Sequence, residues 1–290
     1  MKIALTQFAA SDSPEENLNR QISMLNRAAE SGAKIVCTQE LFMSKYFCVE
    51  LDARNFSYAR SLASKEVGAL SEAAGNAGVV LVASLFEDRG GGLYHNTAVV
   101  FDADGSELGI YRKAHIPHDP HFEEKYYFAP GDTGYRSWNT KYGKIGVLVC
   151  WDQWFPEAAR LTALAGADII FYPTAIGGLL SESPEEAARF KRSWQTVQRG
   201  HAVANGVYVA AANRVGVEKV SDGRDGIKFW GGSFLSNPYG EIVAEASENS
   251  EEILLADIDF SLLAEFRKTW PFFRDRRTDT YAGMLKLAED

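Results

Sequence analysis

Cysteine is scarce in this sequence of 290 residues, which contains only Cys37, Cys48 and Cys150. An odd number of cysteines at unrelated spacings forms no disulfide framework and is typical of reducing compartments, so we expect a cytoplasmic location. No apolar run approaches the roughly 20 residues that a membrane-spanning helix needs, and residues 1–8 resemble a first strand more than a signal peptide. We therefore expect no membrane partner.

Basic residues are also in the minority. The chain has 30 Lys and Arg against 39 Asp and Glu, which gives a formal net charge of -9. Nucleic-acid binding requires a dense basic surface, so this balance argues against a nucleic-acid partner and is compatible with a cationic small molecule. No low-complexity linker divides the chain, and a hydrophobic content of 46% is ample for a large core. We predict a single domain over residues 1–290.

Strand-like and helical patterns alternate along the chain, which indicates an α/β fold. A glycine run at 90–92 separates two apolar strands with no helix after it, so it predicts a hairpin and not a phosphate-binding loop. Such turn-linked strands among βα units favour mixed sheets. The predicted strands are 3–8, 34–37, 79–86, 94–101, 107–112, 144–149, 167–172, 206–212, 231–236 and 241–246. The predicted helices follow Ser13 and cover 64–77, 156–165 and 184–204.

The most informative residue is Cys150, which ends an apolar strand just before a predicted helix. In that position backbone N–H groups and the helix dipole favour a thiolate, as expected of a nucleophile. Glu40 and Lys113 also follow strand-like runs. Because ligands of open α/β sheets bind beyond the carboxyl ends of the strands, we expect the three side chains to converge there.

The three residues form a coherent chemical set. A nucleophilic cysteine needs a base for its proton and a cation near it, roles that suit Glu40 and Lys113. Each residue also has a simpler explanation, since a single Cys150 is often a small buried hydrophobe and Lys113 would by default be solvated. An unpaired Glu40 among apolar neighbours would be costly, which favours a partner.

Three histidines, His115, His118 and His121, recur at every third position and suggest a metal site. Pro117 and Pro120 are incompatible with the regular helix that would place them on one face, so the segment is predicted to be a loop. We expect no metal and no organic cofactor.

The local sequences resemble the nitrilase superfamily of carbon–nitrogen hydrolases over most of the chain. The matching motifs are Glu40 before Leu41 and Phe42, Arg112-Lys113 before Pro130-Gly131-Asp132, and Cys150-Trp151-Asp152 before Pro156-Glu157. The resemblance implies a four-layer αββα sandwich with mixed sheets and a Glu-Lys-Cys triad. It also implies a second catalytic glutamate, which Glu124 matches, with its neighbour Glu123 as the alternative.

The resemblance further implies an assembly and a substrate. We expect a homo-oligomer built from dimers, with the stretch from about residue 260 as an interface or packing extension. The motifs most resemble members that hydrolyse N-carbamoylputrescine to putrescine, ammonia and carbon dioxide. Members acting on carboxylate-bearing carbamoyl substrates tend to carry arginine soon after the cysteine, whereas here Gln153, Trp154 and Phe155 follow Asp152. The alternatives are a carbamoyl-amino-acid hydrolase, an ω-amidase, a nitrilase or a non-catalytic binding member.

A substrate of this kind keeps an ammonium group at its far end, which needs a carboxylate or several acceptors. Glu182 and Glu185 are favoured for that role because glycines at 177 and 178 would let their segment fold over the site. Asp119 and Asp152 are alternatives, although Asp152 is close enough to the nucleophile to serve only as a brace. Aromatic rings expected along the methylene chain are Tyr46, Trp151 and Trp154.

Overall fold

The computed structural model of the chain describes residues 1–221, 223 and 225–288. Its three longest helices begin within one residue of the predicted starts, and Ser13, Ser64 and Ser183 cap them, each accepting a hydrogen bond from the first turn. The helices are α1 (Pro14–Glu30), α2 (Lys65–Ala77), the short α3 (Glu124–Tyr127), α4 (Pro156–Leu164), α5 (Pro184–Asn205) and α6 (Phe260–Thr269). Of the helices in the described residues, none is long and apolar enough to cross a membrane.

The strands form two large sheets and one small one. The strands of the first half are β1 (Lys2–Gln7), β2 (Ile35–Cys37), β3 (Val80–Gly90), β4 (Leu93–Phe101), β5 (Glu107–Arg112), β6 (Ser137–Thr140) and β7 (Gly143–Val147). The later strands are β8 (Ile169–Pro173), β9 (Gly177–Leu179), β10 (Tyr208–Ala212), β11 (Val217–Lys219), β12 (Gly226–Phe229), β13 (Phe234–Ser236), β14 (Ile242–Glu245) and β15 (Glu252–Asp257).

Both large sheets mix parallel and antiparallel pairs, which confirms the prediction of mixed sheets. The first has the order β15-β1-β2-β3-β4-β5, with β1, β2 and β3 parallel and the predicted β3–β4 hairpin antiparallel. The second has the order β14-β13-β10-β8-β7-β6, with β7, β8 and β10 parallel. The small sheet has the order β11-β12-β9.

Alternating side chains build the layers. In β1, Ile3 and Leu5 join the core between the two large sheets, whereas Ala4 joins a second core under α1 and α2. On the other side, Ala159 of α4 and Trp194 of α5 pack onto the second sheet. The layers are therefore helices, sheet, sheet and helices, as predicted for the αββα sandwich.

Some predicted boundaries were wrong. The strand before the cysteine ends at Val147, two residues early, and a 3₁₀ turn covers Cys150–Trp154. The strands β6, β9, β11, β12 and β15 and the helix α6 were not predicted. Within each large sheet the parallel strands nevertheless share one direction, and loops that follow strands of both sheets build the site described next.

Candidate active site

A lysine between two carboxylates forms the centre of the site. Lys113 directly follows β5, and its Nζ donates to Glu40 Oε1 at 2.9 Å and to Glu124 Oε2 at 2.7 Å. All three side chains are withdrawn from solvent. Burial alone would lower the pKa of Lys113, but Glu124 and Glu40 together raise it well above its ordinary value. The ammonium is thus held charged.

The two oxygens of the Glu40 carboxylate differ in the hydrogen bonds that they accept. Its Oε1 accepts hydrogen bonds from Lys113 Nζ and, at 2.7 Å, from Asn96 Nδ2. Its Oε2 is buried and has no hydrogen-bond partner among the described residues. A buried carboxylate oxygen without a donor is costly, so it marks a place where a proton or a ligand is expected.

The second glutamate of the site is Glu124, not its neighbour Glu123. Glu124 begins α3, contacts Lys113 and accepts a 2.7 Å hydrogen bond from the Tyr46 hydroxyl. Burial raises the pKa of Glu124 to about 7, with Glu40 adding to the rise and Lys113 opposing it. Glu123 instead lies 3.2 Å from the ring nitrogen of His118 in a more exposed position.

Cys150 meets this cluster from the second sheet. Its backbone has φ of 42°, a left-handed conformation that is unusual for a residue with a side chain, and its Sγ points towards Ala175 O at 4.0 Å. The expected thiolate is contradicted: burial first, and then Glu40, raise the pKa of Cys150 well above its ordinary value, and Lys113 only partly opposes them. Because the thiol keeps its proton here, attack requires a base.

Asp152 supports the turn that carries Cys150. Its two oxygens accept hydrogen bonds from Val149 N at 3.0 Å, Tyr111 Oη at 2.8 Å and His115 N at 3.0 Å. The carboxylate is fully buried and its oxygens are occupied. Asp152 therefore braces the turn, which was the second of its two predicted roles, and it does not line the cavity beside Cys150.

A cavity of about 500 Å³ opens above the thiol and the lysine cluster. Cys150 and Glu124 form its floor. Its walls include Trp151, Trp154 and Asp119, three of the residues for which the sequence predicted substrate binding. Residues that the sequence did not single out also line it, namely Phe122, Ile176, Leu179, Phe190, Ser193 and Trp230. Among the described lining residues there is no lysine or arginine.

Of the two predicted amine-binding glutamates, only Glu182 reaches the cavity. Its Oε2 is buried without a hydrogen-bond partner among the described residues, and burial raises the pKa of Glu182. Glu185 was the wrong choice: in the first turn of α5 its side chain is 85% exposed and lies 3.9 Å from Arg189. Tyr46 is also absent from the lining, because its hydroxyl is turned towards Glu124.

A second cavity, of about 630 Å³, adjoins the first. The two share Leu179, Glu182 and Trp230, so these residues form a common wall. Beyond it the second cavity contains basic side chains, including Lys191 and Arg192.

The backbone that carries Glu40 is fixed by an unpredicted buried ion pair, Arg214 with Glu218 at 3.0 Å. The Arg214 guanidinium is fully buried and donates to the carbonyl oxygens of Glu40 at 2.7 Å and Leu41 at 3.2 Å. Glu218 accepts from the backbone N–H of Tyr46. Arg214 lies two residues beyond β10. Position just after an apolar strand identified Cys150 in the sequence, and the same criterion could have identified Arg214.

The Pro-Gly-Asp motif has a packing role next to Lys113. Gly131 N donates to Lys113 O at 2.8 Å, and a Cβ at Gly131 would collide with the carbonyl oxygen of Arg112. Arg112 in turn pairs with Asp132 at 2.9 Å. Only glycine permits this close approach, which places the turn against the backbone of Lys113.

The three histidines of the loop have separate partners. His115 Nδ1 lies 2.7 Å from Asp152, His118 lies beside Glu123, and His121 Nε2 is 3.3 Å from Asp225. In the described part of the chain no group of three or more His, Cys, Asp or Glu side chains has the arrangement of a metal site.

Comparison with known proteins identifies the family of the chain. Residues 2–268 match the carbon-nitrogen hydrolase family. The chain belongs to this family, whose members hydrolyse carbon–nitrogen bonds. It is similar to a carbon-nitrogen hydrolase structure from Helicobacter pylori G27, with 45% identity, a TM-score of 0.95 and complete coverage of both chains.

Two relatives of known activity are similar over nearly their whole length. An N-carbamoylputrescine amidase of Arabidopsis thaliana is 43% identical over 98% of this chain and 95% of its own. A citrullinase of Francisella tularensis is 43% identical over 99% of this chain and 98% of its own.

Proposed function

We propose that the chain hydrolyses N-carbamoylputrescine to putrescine, ammonia and carbon dioxide, a reaction of polyamine synthesis. The observation that carries this proposal is the cavity: the Cys150 thiol and the Glu124 carboxylate form its floor, and Glu124 contacts Lys113, which in turn contacts Glu40. Carboxylates and aromatic rings line the cavity, and no lysine or arginine is among its described lining residues. Such a lining suits an ammonium ion on an alkyl chain. The similarity to the Arabidopsis amidase supports the same substrate.

In the first half of the proposed reaction Cys150 attacks the carbamoyl carbon and Glu40 Oε2 accepts the thiol proton. Lys113 and the backbone N–H of Trp151 stabilise the oxyanion that forms. Collapse of the tetrahedral intermediate breaks the bond between carbon and the substituted nitrogen. Glu40 returns the proton to that nitrogen, and putrescine leaves with a carbamoyl thioester on Cys150.

In the second half Glu40 takes a proton from water, which attacks the thioester carbon. The carbon–sulfur bond breaks, Cys150 recovers its proton, and carbamate leaves and decays to ammonia and carbon dioxide. Glu124 keeps Lys113 oriented throughout and accepts from the substrate NH₂. No redox step or organic cofactor is required for this sequence of bond changes.

Glu182 is proposed to bind the distal ammonium, with Asp119 as a second carboxylate at the cavity mouth. The free Oε2 of Glu182 supports this assignment, because an ammonium donor would satisfy it. Trp151 and Trp154 are proposed to flank the methylene chain, and their position in the cavity walls supports this role.

Citrulline is the second candidate substrate. It differs from N-carbamoylputrescine by a carboxylate next to the distal amine, and a relative with 43% identity is a citrullinase. Arg192 lies just beyond the wall formed by Glu182 and Trp230, where it would attract that carboxylate, whereas Lys191 in the same cavity is paired with Glu248. The choice between the two substrates therefore depends on which side of the wall the distal group occupies.

A substrate panel tests the proposal: N-carbamoylputrescine, citrulline, N-carbamoyl-β-alanine, a nitrile and a dicarboxylate monoamide, compared by kcat/KM at equal enzyme concentration. We expect N-carbamoylputrescine to exceed each of the others by tenfold or more. A higher value for citrulline would assign the second function. Turnover of only the nitrile or the monoamide would contradict both, and absence of turnover on the whole panel would favour a binding protein.

A cytoplasmic homo-oligomer built from dimers is the final part of the proposal. The C-terminal stretch exposes Trp270, Phe272 and Phe273, with Trp270 at 53% exposure, whereas Phe266 packs on its own chain. Exposed aromatic rings in one short segment are typical of an interface. Light scattering at micromolar concentration should give at least twice the chain mass of 32.0 kDa, and a monomer would refute the assembly.

A further inference from the structure

We propose that Asn96 is a positioning residue that makes Oε2 of Glu40 the proton acceptor and holds it there while Lys113 is engaged elsewhere. The inference rests on the proposed function, in which Glu40 is the base. Asn96 lies in β4, is fully buried, and its Nδ2 donates to Glu40 Oε1 at 2.7 Å.

The argument begins with the two oxygens of Glu40. Oε1 accepts from Asn96 and Lys113, whereas Oε2 has no donor among the described residues. Hydrogen bonds to a carboxylate oxygen stabilise its negative charge, so the oxygen that accepts none is the one left to receive a proton. Two donors on the same oxygen therefore select which atom of Glu40 acts.

Lys113 alone cannot maintain this selection during the reaction. Its ammonium is shared with both oxygens of Glu124 and, in the proposed mechanism, stabilises the oxyanion. Any shift of Lys113 towards the oxyanion weakens its bond to Glu40. Asn96 is uncharged, and among the described residues its side chain donates to Glu40 and not to Glu124, so it keeps the carboxylate oriented through that step.

The fold gives Asn96 the rigidity this role needs. In the β3–β4 ladder it pairs with Phe86, and its backbone carbonyl accepts a 2.8 Å hydrogen bond from Lys113 N. One residue thus fixes the backbone of the lysine with its main chain and the carboxylate of Glu40 with its side chain. A substitution at position 96 removes only the second contact.

The test compares Asn96→Leu with the matched control Asn205→Leu. Asn205 is also buried, donates one hydrogen bond from Nδ2, to His201 O at 2.9 Å, and has an unpartnered Oδ1, but it lies at the end of α5. Both changes exchange one amide for an apolar group of similar size, so their effects on melting temperature should be similar.

We expect Asn96→Leu to lower kcat by tenfold or more and to change KM by less than threefold, because substrate contacts remain while the base is disoriented. Asn205→Leu should keep kcat within twofold of wild type. The inference is overturned if Asn96→Leu keeps kcat within threefold, if the loss lies in KM, or if the control loses as much. The substrate panel with the wild-type protein tests the proposed function separately. Any amide that the wild-type protein hydrolyses can then serve as the substrate for comparing Asn96→Leu with Asn205→Leu.

Discussion

The guanidinium of Arg214 donates a 2.7 Å hydrogen bond to the backbone carbonyl of Glu40, so the proposed base is held by its main chain as well as by its carboxylate. Arg214 is fully buried and its charge is balanced by Glu218. Removing one partner of a buried ion pair costs about 3–5 kcal/mol, whereas replacing both by apolar residues is often nearly neutral. A comparison of the single and the double variant can therefore distinguish a role of the ion pair in stability from a role of Arg214 in positioning Glu40.

Arg214→Met should lower both the melting temperature and kcat, the latter by tenfold or more. The double variant Arg214→Met/Glu218→Met should recover part of the stability, measured by urea unfolding, because no buried charge is left unpaired. It should leave kcat low, because the carbonyls of Glu40 and Leu41 still lack their donor. Recovery of kcat together with stability in the double variant would show that the pair serves stability alone.

Cys150→Ser should abolish turnover without changing the fold, since the hydroxyl is nearly isosteric but a far weaker nucleophile at neutral pH. Steady-state assays and thermal unfolding followed by circular dichroism check the two halves of this expectation. Cys37→Ser is the control, because that thiol is buried in β2 away from the cavity and the variant should stay active. Appreciable activity of purified Cys150→Ser would contradict the mechanism.

Lys113→Ala should lower kcat/KM by about a hundredfold or more through loss of oxyanion stabilisation. It also leaves Glu40 and Glu124 as neighbouring buried carboxylates without their shared cation, so the melting temperature should fall. The nearby Lys125, which is exposed, provides the control, and Lys125→Ala should match wild type in both measurements. Near-normal turnover of Lys113→Ala would rule out its proposed role.

Glu182→Gln should lower kcat/KM for N-carbamoylputrescine by tens-fold or more and leave an uncharged N-carbamoyl-alkylamine unaffected, because only the charged substrate uses the carboxylate. Asp119→Asn should show a smaller loss of the same selectivity. The matched control is Glu185→Gln, whose side chain points to solvent three residues away. If neither Glu182 nor Asp119 gives a charge-selective loss, the proposed amine recognition is wrong.

The raised pKa of Glu124 predicts that the stability of the folded protein depends on pH. Burial raises its pKa in the folded protein to about 7, above the value of an unfolded glutamate. The folded state therefore binds more protons between about pH 4.5 and 7, and this contribution to stability is present at low pH and lost as the pH rises through 7. The melting temperature of wild type should fall relative to Glu124→Gln between pH 5 and pH 7.5. Parallel curves for the two proteins would contradict this assignment.

The sequence predicted those parts of the site that follow from strand position. Glu40 and Cys150 come after β2 and β7, which belong to parallel pairs, and Lys113 comes after β5, which pairs antiparallel with β4. The apolar patterns of these strands are easily recognised, and each residue lies beyond the end of its strand. The choice of Glu182 over Glu185 could not be predicted, because it depends on the direction of the first turn of α5. That direction is set by the Ser183 cap and its reciprocal bonds with Glu186.

Contacts between distant segments were the other missing information. Asn96 lies between two other polar residues of β4, His95 and Thr97, and nothing in its local sequence indicates that Glu40, 56 residues earlier, lies opposite it. The high pKa of Cys150 was missed for a related reason, since burial and the proximity of Glu40 outweigh the local helix-start effect. Local patterns predict elements, whereas the charge state of a buried group depends on every element packed around it.

The pairing of β15 with β1 has a consequence for synthesis. The partners Lys2 and Asp257 are separated by nearly the whole chain, so the first sheet lacks its edge strand until the segment around Asp257 has been translated. At 5–20 residues per second this takes roughly 10 to 50 s on the ribosome. During that interval β1 has an exposed edge that accepts foreign strands. Newly made chains thus carry an aggregation hazard that disappears when β15 arrives.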